Sequence, residues 1–314
     1  MTWSSLHLGG RLIFTAGIYI GNDGYIDVSS LDLATGAIEP IFQTPDAGWV
    51  DSAAVSPDGT QMVISYAPPV SAPHGGQETL YALPTDGSKP AQLLFPPADP
   101  KDQNAQVVWA PDGKNLYFAH MNYHSPGPLS IWRVAYPDGA PQKLLDNAYW
   151  PRLSDDATRL TYVTLDPQTG QNYLYVANAD GTGALEVPVQ GPYISNVIDV
   201  PMFSPDGQSI LFSAQDPPQS SILRGLDSIL GAGLVHLSDG SIPSDWWSVP
   251  ITGGAPKQLT HLGALSLYGG YSPDKQYIVS SSVNGIFIMR PDGSSLTMIV
   301  PDIGGIPGTV QWIP

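Results

Sequence analysis

Histidines are the first residues of this sequence that could do chemistry, because an imidazole can bind a divalent metal or transfer a proton near neutral pH. His120 and His124 are four residues apart, a spacing that on a helix would place both rings on one side. Two prolines follow His124 within four residues, so we expect a loop here instead. Together with His74 and His261 in other loops, they could form the metal site of an enzyme if the fold brings the loops together.

Two aspartates form a second candidate site. Asp51 and Asp199 each precede the serine of a repeated motif by five residues, so they hold the same place in two repeats. Carboxylates that converge from different repeats can bind Ca²⁺ together with backbone carbonyls and water. Two carboxylates are fewer than such a site needs, and a polar residue here could instead cap a loop. Calcium bound by Asp51 and Asp199 is therefore the only cofactor that the sequence suggests.

Aromatic side chains are a third group, since an indole or phenol offers a rigid apolar surface that can stack on a sugar or anchor a peptide. Trp109, Trp132 and Trp312 follow regular strand patterns and are predicted to be core residues. The other aromatic candidates, like the histidines, lie in predicted loops. The residues predicted to contact a ligand are Trp49, His74, His120, His124, Trp150, Tyr193, His261 and Tyr268.

Common catalytic motifs are absent from the sequence. It has no G-x-S-x-G, H-E-x-x-H, P-loop or EF-hand pattern. It also has no cysteine, which excludes thiolate catalysis, disulfides and zinc–thiolate sites. We therefore assign no catalytic residue and favour a binding protein over an enzyme.

A repeated turn determines which elements position these residues. It is complete in 202–212 (MFSPDGQSILF) and recurs in 55–64, 109–118 and, more loosely, 153–162 and 271–279. Proline pre-sets the first turn dihedral, aspartate accepts hydrogen bonds from nearby amides, and glycine tolerates a positive φ. With apolar runs on both sides, each copy predicts a β-hairpin.

A second hairpin with its own glycine-containing turn follows each copy, which gives four strands per unit. The aligned aspartates are 44 to 68 residues apart, as expected for four-stranded blades. A sixth unit is divided between the two ends of the chain, because V-Q-W-I-P at 310–314 matches V-V-W-A-P at 107–111. The sequence thus predicts an all-β fold, a six-bladed β-propeller of four-stranded antiparallel blades whose first blade is closed by the C-terminal strand.

The predicted blades make up one domain, residues 1–314. Their ranges are 1–48 plus 307–314, 49–103, 104–147, 148–196, 197–262 and 263–306. Blade 5 carries an insertion, 216–245, in which apolar residues of 222–234 have helical spacing. This segment is expected to be either a short helix packed over the propeller or a mobile lid that docks a partner.

Composition limits the partners. The net charge is −16, with 12 Lys and Arg against 28 Asp and Glu, which disfavours nucleic acid and anionic membranes. No apolar run is long enough to span a membrane. We expect the protein to be a monomer. The scarcity of Lys and Glu favours an extracytoplasmic protein. Residues 1–10 lack a signal-peptide pattern, so we expect any such segment to belong to a longer natural protein.

The S-P-D-G motif, with an aromatic residue before it and an apolar triplet after it, resembles the TolB-like, WD-repeat-like β-propeller family over nearly the whole chain. The resemblance implies binding sites on the face formed by the loops between strands two and three and between blades, opposite the S-P-D-G turns. Such propellers include protein-binding scaffolds, accessory domains of peptidases, and lyases or lactonases.

We therefore predict a non-enzymatic recognition scaffold that binds a protein or peptide, or a carbohydrate, on this loop face. The alternative is a metal-dependent lyase or hydrolase that acts on a polysaccharide or lactone through a histidine cluster at the channel mouth.

Overall fold

The computed structural model describes residues 6–20, 23–44, 48–122, 128–190, 198–215, 243–265, 267–301 and 307–314. Three predictions lie outside these residues: the ligand contacts of His124 and Tyr193, and the helix in the insertion of blade 5. Within the described ranges, no helix has the length and apolar character needed to span a bilayer.

Within the described residues, twenty-four strands form six antiparallel sheets of four strands each, as predicted. The strands of blades 1 to 3 are β24 (Pro307–Ile313), β1 (Arg11–Ile20), β2 (Asp23–Asp32) and β3 (Ile38–Phe42); β4 (Trp49–Val55), β5 (Gln61–Ala67), β6 (Thr79–Pro84) and β7 (Gln92–Leu93); β8 (Gln103–Trp109), β9 (Asn115–Met121), β10 (Leu129–Ala135) and β11 (Gln142–Asp146). The strands of blades 4 to 6 are β12 (Ala148–Leu153), β13 (Arg159–Leu165), β14 (Asn172–Asn178) and β15 (Leu185–Glu186); β16 (Ile198–Phe203), β17 (Ser209–Gln215), β18 (Ser244–Pro250) and β19 (Lys257–Gln258); β20 (Tyr268–Tyr271), β21 (Ile278–Ser282), β22 (Gly285–Met289) and β23 (Thr297–Pro301).

The first strand of each sheet lines a central channel, to which β24, β4, β8, β12, β16 and β20 all contribute residues. The ring is closed within blade 1, where β24 pairs with β1 in an antiparallel register that joins Arg11 to Ile313 and Phe14 to Val310. Closure pairs β1 on both of its edges and gives blade 1 its fourth strand. This confirms the predicted role of the C-terminal strand.

The core lies between adjacent blades. Trp246, Phe118 and Phe212 are fully buried there. Trp312 is also buried, whereas Trp109 and Trp132 are partly buried against a core cluster between blades 2 and 3. The Trp109 indole N–H donates to the Ala54 carbonyl at 3.0 Å, which links these two blades.

The turns of the repeat are held by a serine–aspartate pair. In blade 2 the Ser56 hydroxyl donates to Asp58 Oδ1 at 2.6 Å, and the Thr60 N–H donates to the same oxygen at 3.0 Å. The hydrogen bond from Ser56 is the largest effect that lowers the pKa of Asp58. In blades 4 and 6, Ala157 and Lys275 replace the glycine and keep its positive φ, 58° and 60°. The serine and aspartate therefore maintain the turn without the glycine.

Reciprocal substitutions at this position test the backbone strain. Ala157→Gly should stabilise the protein by about 0.5–1 kcal/mol, because the left-handed conformation strains an alanine and not a glycine. Gly59→Ala should destabilise it by a similar amount, since Gly59 has φ 74° and an added methyl would contact nothing within 4 Å. Urea unfolding of both variants measures the change. Equal shifts in the same direction would contradict the explanation.

Ring closure depends on close backbone approach at Gly308 in β24. An added Cβ would overlap Thr15 Oγ1 and lie 2.8 Å from the Asp51 carbonyl oxygen. Gly308→Ala should therefore lower the free energy of unfolding by about 1–3 kcal/mol. Gly9→Ala is the control, because nothing lies within 4 Å of its Cβ. Thermal unfolding measures the stability of both variants. A Gly308→Ala protein as stable as the wild type would show that the backbone adjusts at this contact without a cost in free energy.

Candidate functional site

Backbone bulges shape the loop-face end of the channel. The pairing of β4, β8, β12 and β16 with the next strand of each blade shifts register near the loop-face end. Gln106, Trp150 and Val200 hold equivalent places in three of these bulges and have φ of 55°, 53° and 49°. A positive φ is strained for residues other than glycine, and for a β-branched valine in particular. A bulge re-aims side chains, so the channel mouth is lined differently from a regular strand.

Trp150 connects four blades from inside this ring. Its backbone N–H donates to Gln106 Oε1 at 2.7 Å, and its indole N–H donates to Asp199 Oδ1 at 2.6 Å. Its ring centroid lies 5.7 Å from that of Tyr268 in blade 6. Trp150 is only 3% exposed. Of the residues predicted from the sequence, Trp150, Asp199 and Tyr268 are thus brought together, with the indole packed between blades and not presented to solvent.

Asp51 and Glu78 form a different kind of pair at the same end of the channel. Asp51 lies in the bulge of β4, and burial raises its pKa against smaller opposing hydrogen bonds from the Gln106 N–H and the Ser52 side chain. Glu78 directly precedes β6. Burial raises its pKa well above the usual value, and the negative charge of Asp51 raises it further. No Lys or Arg of the described chain lowers either pKa.

The carboxylate of Glu78 is also incompletely hydrogen-bonded. Its Oε1 is buried and has no hydrogen-bond partner among the residues that the structure describes. Asp27 and Asp245 lie on the third strand of blades 1 and 5, and each accepts hydrogen bonds from residues after the fourth strand. The Thr44 N–H donates to Asp27 at 2.8 Å, while the Thr260 hydroxyl and two backbone amides donate to Asp245. Glu78 thus differs from Asp27 and Asp245, whose hydrogen bonds attach a loop to the blade.

Blade 2 also exposes apolar residues at positions close in sequence to this pair. Trp49, the first residue of β4, is 48% exposed, and Val70 in the loop between β5 and β6 is 87% exposed. Internal hydrogen bonds hold the loop, including Gly76 N–H to the Pro68 carbonyl at 2.7 Å. Asp51 and Glu78 are themselves only partly buried as whole residues, so solvent reaches the site. We call Trp49, Asp51, Val70 and Glu78 the blade 2 rim.

The three candidate histidines that the structure describes have separate surroundings. His120 lies 3.1 Å from Asn104 Oδ1 and 3.4 Å from Asp102 Oδ1, and burial lowers its pKa against the opposing charge of Asp102. His120 is therefore held by residues at the start of β8 in its own blade. His74 and His261 are exposed.

The described residues contain no group of three or more His, Asp or Glu side chains suited to a metal ion. In particular, Asp51 and Asp199 belong to no such group among the described residues, and calcium bound by them stays a prediction.

Replacement of Glu78 by glutamine tests the unpaired charge. An acid whose pKa is raised by folding makes the folded state less stable as the pH rises above its ordinary value, here 4.5. Glu78→Gln should thus stabilise the protein by about 1 kcal/mol at pH 8 and flatten its stability between pH 5 and 8. Glu39→Gln, on exposed β3, is the control. Urea unfolding at several pH values measures the effect. A Glu78→Gln protein that is less stable at pH 8 would show that the charge is compensated.

Comparison with known proteins concerns the fold. No protein-family model and no curated protein matches the sequence. Among solved structures, TolB from Acinetobacter baumannii matches with a TM-score of 0.68 and 15% identity over 97% of this chain and 67% of that one. A chain of the nidogen/laminin complex matches with a TM-score of 0.65 and 9% identity over 96% and 97%. An oligogalacturonate lyase in complex with manganese gives 0.56 and 13% over 96% and 75%.

These identities are low, so the similarity establishes architecture and not activity. The chain has the fold of a TolB-like β-propeller with six four-stranded blades.

Proposed function

We propose that the protein is a non-enzymatic recognition module that binds a protein or peptide partner at the blade 2 rim. The observation that carries this proposal is the pair of buried carboxylates, Asp51 and Glu78, that no described Lys or Arg offsets. Two exposed apolar side chains, Trp49 and Val70, belong to the same blade and are close to the pair in sequence. Together they form a surface that complements a basic group flanked by apolar residues.

The carboxylates without a counter-ion at the rim favour a partner with a positive charge. A buried carboxylate without a counter-ion destabilises the folded protein, and an entering cation removes this penalty. A lysine or arginine of the partner would donate charge-assisted hydrogen bonds to Glu78 Oε1, which has no partner in the described chain. The net charge of −16 would also attract a basic partner over a longer range.

The apolar part of the rim supplies contact area. A half-exposed tryptophan on a rigid inner strand can anchor a partner side chain with little loss of conformational entropy. It can also interact with a cation through its ring face. The hydrogen-bonded loop between β5 and β6 exposes a second apolar side chain, Val70. A short segment with one basic and one or two apolar residues would cover both.

The fold similarities agree with this class of function. The nidogen/laminin structure is a complex of two proteins, and the chain that matches has nearly the same extent as this one. We extend the proposal to an extracytoplasmic, monomeric protein, supported by the scarcity of Lys and Glu in the sequence.

Selection from a library of displayed random peptides tests the proposal. Wild-type protein should enrich sequences that pair Lys or Arg with apolar residues. Calorimetry with an enriched peptide should show binding at least tenfold weaker for Trp49→Ala and for Glu78→Gln. The second variant is informative because we expect it to be more stable than the wild type. Leu185→Ala is the matched control, since Leu185 is an exposed apolar residue on β15 of blade 4.

Three results would contradict the proposal: no enrichment, an acidic consensus, or binding that both rim variants retain. Size-exclusion chromatography with light scattering of the same samples would test the expected monomer.

A second candidate, the metal-dependent lyase or hydrolase, is favoured by the fold shared with the oligogalacturonate lyase that was solved with manganese. Its predicted ligands are His74, His120, His124 and His261. A carbohydrate ligand is compatible with this candidate as well as with the recognition module. Metal analysis of protein purified without chelator, and cleavage of oligogalacturonate with added Mn²⁺, separate it from the recognition module. Cleavage that is lost in a His120→Ala variant of unchanged stability would make the enzyme the better assignment.

A further inference from the structure

The channel contains a cavity of about 290 Å³ toward the opposite face, that of the S-P-D-G turns. All six inner strands line it, and the turn prolines Pro57 and Pro111 reach its edge. Its apolar wall includes Val107, Trp109 and Phe203. The cavity is thus distinct from the blade 2 rim, and a ligand bound in it would be independent of any partner at that rim.

Three charged residues line this cavity, Arg152, Asp155 and Lys275, and of these Arg152 lies on an inner strand. The repeats place six residues at equivalent positions of the inner strands: Ala54, Val108, Arg152, Met202, Gly270 and Gln311. Four of the other five are small or apolar. The amide of Gln311 is already hydrogen-bonded to the backbone of Val55, at 2.9 Å through Oε1 and 3.3 Å through Nε2. Arg152 is therefore the member of this ring with donors to spare.

The guanidinium of Arg152 has little to bind within the protein. Nη1 donates to the Pro151 carbonyl at 3.2 Å, and the group lies 6.0 Å from the centre of the Trp150 ring. No carboxylate of the described residues pairs with it. Burial lowers its pKa to about 10, so it stays charged at neutral pH. The acid that lines the same cavity, Asp155, is held by Lys275 at 2.8 Å.

We propose that this cavity binds a small organic acid, with its carboxylate on the guanidinium of Arg152 and its apolar body against Val107, Trp109 and Phe203. A planar guanidinium can hold a carboxylate through two parallel N–H···O bonds. The apolar wall favours an acid with an aryl or alkyl group over a small, strongly hydrated inorganic anion. The volume is near the lower limit for ligand pockets, which restricts the ligand to a small molecule.

Calorimetry with phenylacetate and with its uncharged analogue phenylacetamide tests this site. Phenylacetate should bind at one site per chain and raise the melting temperature, whereas phenylacetamide should bind at least tenfold more weakly. Arg152→Met should abolish phenylacetate binding. Arg133→Met is the matched control, because Arg133 lies on β10 and its guanidinium is near Gln142 at 3.4 Å, away from the cavity.

Arg152→Met should be as stable as the wild type or more so, because it removes a buried charge that lacks a counter-ion. If it does not fold, Arg152→Lys replaces it; the lysine keeps the charge but loses the two-pronged geometry and should bind at least tenfold more weakly. Equal binding of the acid and the amide, binding that survives at Arg152→Met, or sulfate binding as tight as phenylacetate would each overturn the proposal. So would the absence of phenylacetate binding at millimolar concentration.

Discussion

Closure of the ring by the pairing of β24 with β1 is the interaction on which the other features depend. Six sheets can surround a channel only if the last strand completes the first blade, and the register from Arg11–Ile313 to Phe14–Val310 provides this. The closing strand also contacts the next blade, because the Thr309 hydroxyl accepts from the Ala53 N–H at 2.8 Å. Gly308 lies against the backbone of Asp51. The strand that closes the ring thus also sets the position of the blade 2 rim.

The acidic residues of the protein differ in role because their surroundings differ. In the turns, hydrogen bonds lower the aspartate pKa, to about 2 for Asp156, so these groups stabilise the fold at neutral pH and lose this effect as the pH falls through that value. At the blade 2 rim, burial raises the pKa of Glu78, so that its contribution becomes unfavourable as the pH rises. The same chemical group therefore stabilises the turns and destabilises the rim. A group of the second kind gains most from a cationic partner.

Most of the fold could be predicted from the sequence because turn chemistry is local. Proline, aspartate and glycine act within four residues, so the blades could be counted even where Ala157 and Lys275 depart from the motif. The residues of the candidate site are harder to predict from the sequence. Trp150 was expected as a ligand contact, and nothing in its strand pattern indicates the bulge that packs its indole between blades. Glu78 was missed, although it is one of only three glutamates, because a missing partner is a tertiary property.

Arg152 could have been recognised in principle, since alignment of the repeats alone places it among small and apolar residues. Its charge is significant because of the composition of the chain. The chain has 28 acidic residues and 12 basic ones, so carboxylates are abundant. Lys275 pairs with one of them, Asp155, whereas no described carboxylate pairs with Arg152. Among the residues that the structure describes, the two ends of the channel therefore carry opposite charges without a counter-ion, Glu78 at the rim and Arg152 in the cavity. Each destabilises the unliganded protein, and each would be compensated by a ligand of a different sign, so the two sites can be separated experimentally by the charge of what they bind.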